Sequence, residues 1–173
     1  KNDNTITPSI ESSLKVKIVS REESIQKTKR IKIENNNIIG SLSLKGGLID
    51  DISFKNHKQN LENKKNVEFL NPAGTKDGFY AETGWTSINN KVKVPTKDSN
   101  WKIVGNNTLK ENQPIALEWN NGEGLVFKRK IELDDKFLFK ISQQVENNTS
   151  KPVDLYPYAQ LTRNKIPDDI QNF

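Results

Sequence analysis

The stretch Gly40-Ser41-Leu42-Ser43-Leu44-Lys45-Gly46-Gly47-Leu48-Ile49-Asp50-Asp51-Ile52-Ser53-Phe54 decides the fold. Paired glycines tolerate the positive φ angles of a tight corner, so Gly46-Gly47 marks a chain reversal between two strands. On the incoming strand Leu42 and Leu44 alternate with Ser41 and Ser43 and share one face. On the outgoing strand Leu48, Ile52 and Phe54 share a face, with Asp50 the polar exception among them. Such alternation is that of a half-buried antiparallel hairpin in an all-β domain.

The same signals continue on both sides. Residues 67–70, 79–85, 91–94 and 101–104 read as short strands separated by Gly, Pro, Asn or Asp. Residues 115–119 and Leu125–Leu133 follow, joined by Asn120-Asn121-Gly122, a hairpin signal. Asp134-Asp135 reverses the chain into 136–145, where Phe137, Phe139, Ile141, Gln143 and Val145 form an interior face. A last strand spans 153–162, and Pro157, which has no N–H to donate, marks an edge or a bulge there. Upstream, residues 1–13 form a polar arm, 14–19 alternate as a first strand, and 20–29 are a charged link. Ile31 and Ile33 then open another strand. No amphipathic helix longer than three turns is present, and the expected architecture is two packed antiparallel sheets.

Three motifs in this order carry a resemblance: Lys45-Gly46-Gly47-Leu48-Ile49-Asp50-Asp51, Leu70-Asn71-Pro72-Ala73-Gly74 and Tyr80-Ala81-Glu82-Thr83-Gly84-Trp85. With the paired strands after Gly124, Asn147-Asn148-Thr149 and Leu161-Thr162-Arg163, they extend from Asn35 to Arg163. The chain resembles the periplasmic (large extracytoplasmic) domain of the bacterial membrane protein insertase YidC. The resemblance implies an antiparallel β-supersandwich of the galactose mutarotase-like class. It implies a variable N-terminal arm and tether strand in 1–34, and a supersandwich in 35–173 whose C-terminal strands are missing, leaving a sheet edge open to pairing with another copy.

In that family the whole protein inserts, folds and assembles inner-membrane proteins, alone or with the Sec translocon. The groove that does so lies among transmembrane helices outside these residues. This domain would face the periplasm, contact nascent membrane proteins or the auxiliary subunits SecD and SecF, and use no cofactor, metal or catalytic residue. Fold kinship supplies the alternative, a carbohydrate-binding or sugar-active domain.

Composition sets limits. The chain has 173 residues, of which 32% are hydrophobic, with a mean hydropathy of −0.79. That is one domain with a real core, because the apolar residues are concentrated in alternating runs. The formal charge is +5, but the basic residues are scattered among 22 acids without a block of like charge, which speaks for a solvated face and against nucleic acid. Cysteine is absent, which excludes disulfides and thiolate chemistry. No apolar run is long enough to span a bilayer. Methionine is absent even at position 1, as expected of a piece of a longer chain.

Candidate chemistry is sparse. His57 is the single histidine and lies in a Lys/Asn-rich loop. The pairs Asp50-Asp51, Asp134-Asp135 and Asp168-Asp169 flank turns, where carboxylates serve turn formation and solubility. Glu82 and Glu118 sit within strands beside aromatic residues but have no positioned second acid. The aromatic residues Tyr80, Trp85, Trp101 and Trp119 are candidates for gripping a peptide or partner, and equally candidates for the core.

Overall fold

Alternation of apolar and polar residues builds eleven strands among residues 18–62, 64–88 and 91–165, the part of the chain that the computed structural model describes. The arm at 1–13, most of the expected strand at 14–19 and the Asp168-Asp169 pair lie outside the described residues. The larger sheet contains β1 (Arg30–Glu34), β2 (Ile38–Ser43), β3 (Leu48–Lys58), β4 (Asn66–Leu70), β5 (Phe79–Ser87), β7 (Thr108–Leu109) and β11 (Leu155–Arg163). Its order is β11-β5-β3-β2-β1-β7, with β4 paired to β3. The smaller sheet runs β10 (Phe139–Asn147), β9 (Leu125–Leu133), β8 (Ile115–Asn120), β6 (Lys102–Val104). Pairing is antiparallel as expected, except that β1 and β7 run parallel. β1, from the segment expected to be a tether, is an interior strand whose Ile31 and Ile33 are fully buried.

The core lies between the sheets. Leu42 and Ile52 of the larger sheet meet Leu117, Phe127 and Ile131 of the smaller, in one apolar cluster that also takes in Trp85 and Trp101. The corner is where the sequence puts it, with φ of 75° at Gly46 and 65° at Gly47.

The outgoing strand departs from simple alternation. Ser41 pairs with Asp51 but Leu42 pairs with Ile49, so Asp50 is an additional residue, a β-bulge. Parity changes there: Ile49, rather than Leu48, joins Ile52 and Phe54 on the inner side, and Asp50 and Asp51 both project to the outer face. These two aspartates are therefore not solubilising turn residues. They are 4% and 6% exposed and are paired with Arg30 and Arg21.

Two further segments differ from the sequence reading. The charged link holds a short helix, α1 (Arg21–Gln26), capped by Ser20, whose Oγ accepts from the Glu23 N–H at 3.0 Å. Residues 91–94 form no strand. Pro95 follows them, and their polar groups bond sideways: Ser87 Oγ donates to the Val92 carbonyl at 3.1 Å and Asn121 Nδ2 to that of Lys93 at 3.2 Å. Val92 and Val94 still pack against the core.

At one end the sheets are clasped by asparagine. Asn35 Nδ2 donates to the carbonyls of Asp134 (2.9 Å) and Lys136 (2.8 Å), while its Oδ1 accepts from the N–H groups of Asn37 and Ile38 (2.8 Å each). The turn after β9 is thus tied to the turn after β1.

Candidate functional site

Among the described residues, each sheet ends in a strand with one unpaired edge, β11 in the larger and β10 in the smaller, and both border one cleft between the sheets. The cleft encloses about 920 Å³. Ile49, Ile52 and Phe54 line it from β3, Phe139 and Ile141 from β10, and Leu161 from β11. The sequence explains why it is open. Register with β5 places Pro157, Ala159 and Leu161 of β11 on the side of Trp85, Thr83 and Ala81, the inner side. Ala81, Thr83 and Ala159 are too small to reach β10, so the apolar face of β10 is only half covered. The expected interior face of this strand is real, but its first member, Phe137, remains 50% exposed.

Aromatic rings gather at one mouth. Phe54 lies 5.3 Å from Phe69 and 5.7 Å from Phe137 between ring centroids, and the His57 ring meets Phe54 edge-on at 5.5 Å. His57 thus sits at the rim of an apolar opening, against the Phe54 ring.

The polar groups nearby are committed. Tyr158 Oη donates to Glu82 Oε1 at 2.6 Å, and Gln160 Nε2 donates to Glu82 Oε2 at 3.4 Å. Burial, and then the bond to Glu82, push the Tyr158 hydroxyl up to about 12, so it keeps its proton at neutral pH. Among the described residues no group of three His, Cys, Asp or Glu side chains is placed to hold a metal ion.

Beside Thr83 the gap between the sheets is bridged by Arg129, which is 2% exposed. Its Nη1 donates to the Gly47 carbonyl at 2.8 Å and its Nη2 to the Thr83 carbonyl at 2.5 Å, and its guanidinium lies 4.4 Å from the centre of the Trp101 ring. Gln143, its cross-strand neighbour, reaches the Gly84 carbonyl at 3.4 Å. Burial lowers Arg129 to about 10 although Tyr158 and Glu82 oppose the shift, so it is still a cation at neutral pH. The sequence holds a signal for this residue: Leu125, Phe127, Arg129, Ile131 and Leu133 alternate on one strand, and the other four are core residues.

The four aromatic candidates do not meet in the cleft. Trp85 and Trp101 stack at 6.3 Å within the core, and Trp119 packs on Phe127 at 5.7 Å. Tyr80 is half-buried on the outer side of β5, opposite Thr162. The cleft is built instead from aliphatic and phenylalanine side chains, among them Ile49, Leu70, Ala81 and Leu161 of the quoted motifs, whose gathering in one place no local pattern marks.

Comparison with known proteins agrees with this architecture. A family model described as YidC periplasmic domain matches residues 30–173. The chain is 35% identical over 166 residues to the membrane protein insertase YidC of Pelagibacter ubique (strain HTCC1062), covering 96% of this chain and 30% of that protein. It is 40% identical over 154 residues to that of Jannaschia sp. (strain CCS1), covering 88% of this chain and 25% of the relative. With that of Methylobacterium radiotolerans the identity is 42% over 146 residues, 84% of this chain and 23% of the relative. The chain therefore spans less than a third of the length of these relatives. Nothing in these likenesses supports the sugar-active alternative, which rested on fold kinship alone. The chain belongs to the YidC periplasmic domain family.

Proposed function

We propose that this chain is the non-catalytic, periplasm-facing part of an inner-membrane insertase, and that its cleft receives extended apolar segments of client polypeptides. The carrying observation is the coincidence of an apolar cleft with two strand edges, β10 and β11, that are unpaired among the described residues. Apolar side chains would enter between Ile141 and Leu161 while the backbone pairs with one edge, as in β-strand addition. The cleft is lined mainly by apolar side chains and its Glu82 is held by Tyr158 and Gln160, so capture and release, rather than a covalent step, are the chemistry it suits. In the intact protein the clients would be nascent inner-membrane proteins, with SecD and SecF as neighbours, and a second copy could use the same edge.

The test is titration of fluorescein-labelled peptides of alternating Leu and Ser against this chain and against Ile141→Asp and Leu161→Asp. Leu161 is 69% exposed, so its replacement spares the core. The expected result is saturable binding that both substitutions weaken at least about tenfold, the loss of one buried apolar contact. Absence of saturation up to millimolar peptide overturns the reading.

A further inference from the structure

The cleft leaves two of the hairpin-region motifs unused, Asp50-Asp51 and Asn71-Pro72-Ala73-Gly74, and both contact the segment that carries α1. Arg21 inserts between β3 and β4 on the outer face: its Nη2 reaches Asp51 and, at 3.1 Å, Ser53 Oγ, and its Nη1 lies 3.8 Å from Glu68. The Val19 N–H donates to the Gly74 carbonyl at 3.2 Å. No residue of α1 is buried, so these contacts, rather than an apolar face, dock the segment.

The far end of β11 docks on the same loop. Asn164 Nδ2 donates to the carbonyls of Ala73 (2.7 Å) and Thr75 (3.2 Å), and the Asn164 N–H donates to that of Gly78 (2.8 Å). Gly78 is required by this approach, because a Cβ there would fall 2.4 Å from Asn164 Nδ2. The loop is braced internally. Thr75 Oγ1 donates to the Pro72 carbonyl at 2.7 Å, and Asn71 exchanges both backbone bonds with Phe79 at 2.8 and 2.9 Å.

We infer that the β4–β5 loop is a joint coupling the α1 segment to β11, so that undocking the segment loosens the free edge bordering the cleft. Gly74 accepts from one side of the joint while its neighbours Ala73 and Thr75 accept from the other. A shift of this short, cross-braced loop cannot serve one side alone. Elements held by few buried contacts are those that open locally below the global unfolding free energy, and α1 is such an element. The inference does not depend on what the cleft binds, since its test contains no ligand.

Hydrogen exchange on the 173-residue chain reads the coupling. Asn164→Ala, and separately Gly78→Ala, are expected to speed exchange of the Val19 amide about tenfold, as well as at the end of β11. Arg21→Gln is expected to do the reverse, speeding residues 160–164 while β8 and β9 keep their protection. Effects confined to the mutated side overturn the joint. Should a substitution speed exchange everywhere, a double cycle of Arg21→Gln with Asn164→Ala decides. A departure from additivity of about threefold or more in the opening constants supports the joint, and additivity overturns it.

Discussion

Arg30 reaches across β2 to the carboxylate of Asp50, because the bulge opposite Ser41 and Leu42 turns Asp50 to the outer face. The same guanidinium donates through Nε to Ser41 Oγ at 2.7 Å and through Nη2 to the Ser41 carbonyl at 3.2 Å. Asp51, next along, takes Arg21 and the hydroxyl of Ser41. An Asp-Asp pair after a glycine corner thus becomes a buried receptor for two arginines that precede it in the chain.

Removing one member of that pair should be costly. Arg30→Met leaves the Asp50 carboxylate buried without its counter-ion, and a loss of about 3 kcal/mol is expected in urea unfolding at pH 7. Arg30→Met combined with Asp50→Leu should recover most of it, because replacing both charges removes the desolvation cost along with the attraction. A double variant no more stable than Arg30→Met would refute this account.

Two carboxylates should give opposite pH dependence. Burial pushes Asp50 above its ordinary 3.8 despite Arg30 beside it. The folded chain then holds this proton at higher pH than the unfolded chain, so this group's contribution falls as pH rises through the raised value. Glu34 is the reverse: hydrogen bonds from Lys32 and then Lys55 hold it down at about 2, from an ordinary 4.5. Its contribution is fully present above 4.5 and is lost as pH falls toward about 2. Urea midpoints of Glu34→Gln should therefore lie below those of the parent at pH 7 and converge with them near pH 2. A gap independent of pH would contradict the ion-pair assignment.

Arg129 should not accept its usual substitute. Lysine offers one ammonium centre, which cannot serve the Gly47 and Thr83 carbonyls together while staying over the Trp101 ring. Arg129→Lys is expected to cost about 2 kcal/mol, mostly from a carbonyl left buried and unpaired. Tryptophan near-UV circular dichroism should change with it, since Trp101 stacks on Trp85. An unchanged spectrum and midpoint would show that the bridge between the sheets is dispensable.

The asparagine clasp offers a sharper comparison. Asn35→Asp is nearly isosteric but cannot donate to the Asp134 and Lys136 carbonyls, so it should destabilise by about 2 kcal/mol at pH 7. Asn37→Asp loses a single exposed bond to the Asp135 carbonyl, 2.8 Å long, and should cost well under half as much. Equal effects in thermal melts would show that burial of Asn35 is not what matters.

Much of this fold was legible before any coordinates. Alternation placed β1 to β5 and β8 to β11 close to their bounds, and the Gly46-Gly47 corner fell on two residues of positive φ. Pro157 marked an edge strand correctly, with continuous register to β5 and no bulge. The family, too, was readable from short ordered motifs, because hairpin corners constrain residue type locally. The errors have two causes. A bulge changes parity without changing composition, so Leu48 and Ile49 exchanged faces and two buried aspartates looked like turn residues. Residues 91–94 alternate like a strand, but Ser87 and Asn121, supplied by other elements, bind their carbonyls.

The sequence by itself determined the sandwich, its corners and its kinship, since these follow from periodicity and from residues that only certain backbone angles accept. Tertiary structure alone decided the cleft, the Arg129 bridge and the shared docking loop. Each of these arises where side chains or backbone groups from separate strands converge, over separations that no local pattern encodes.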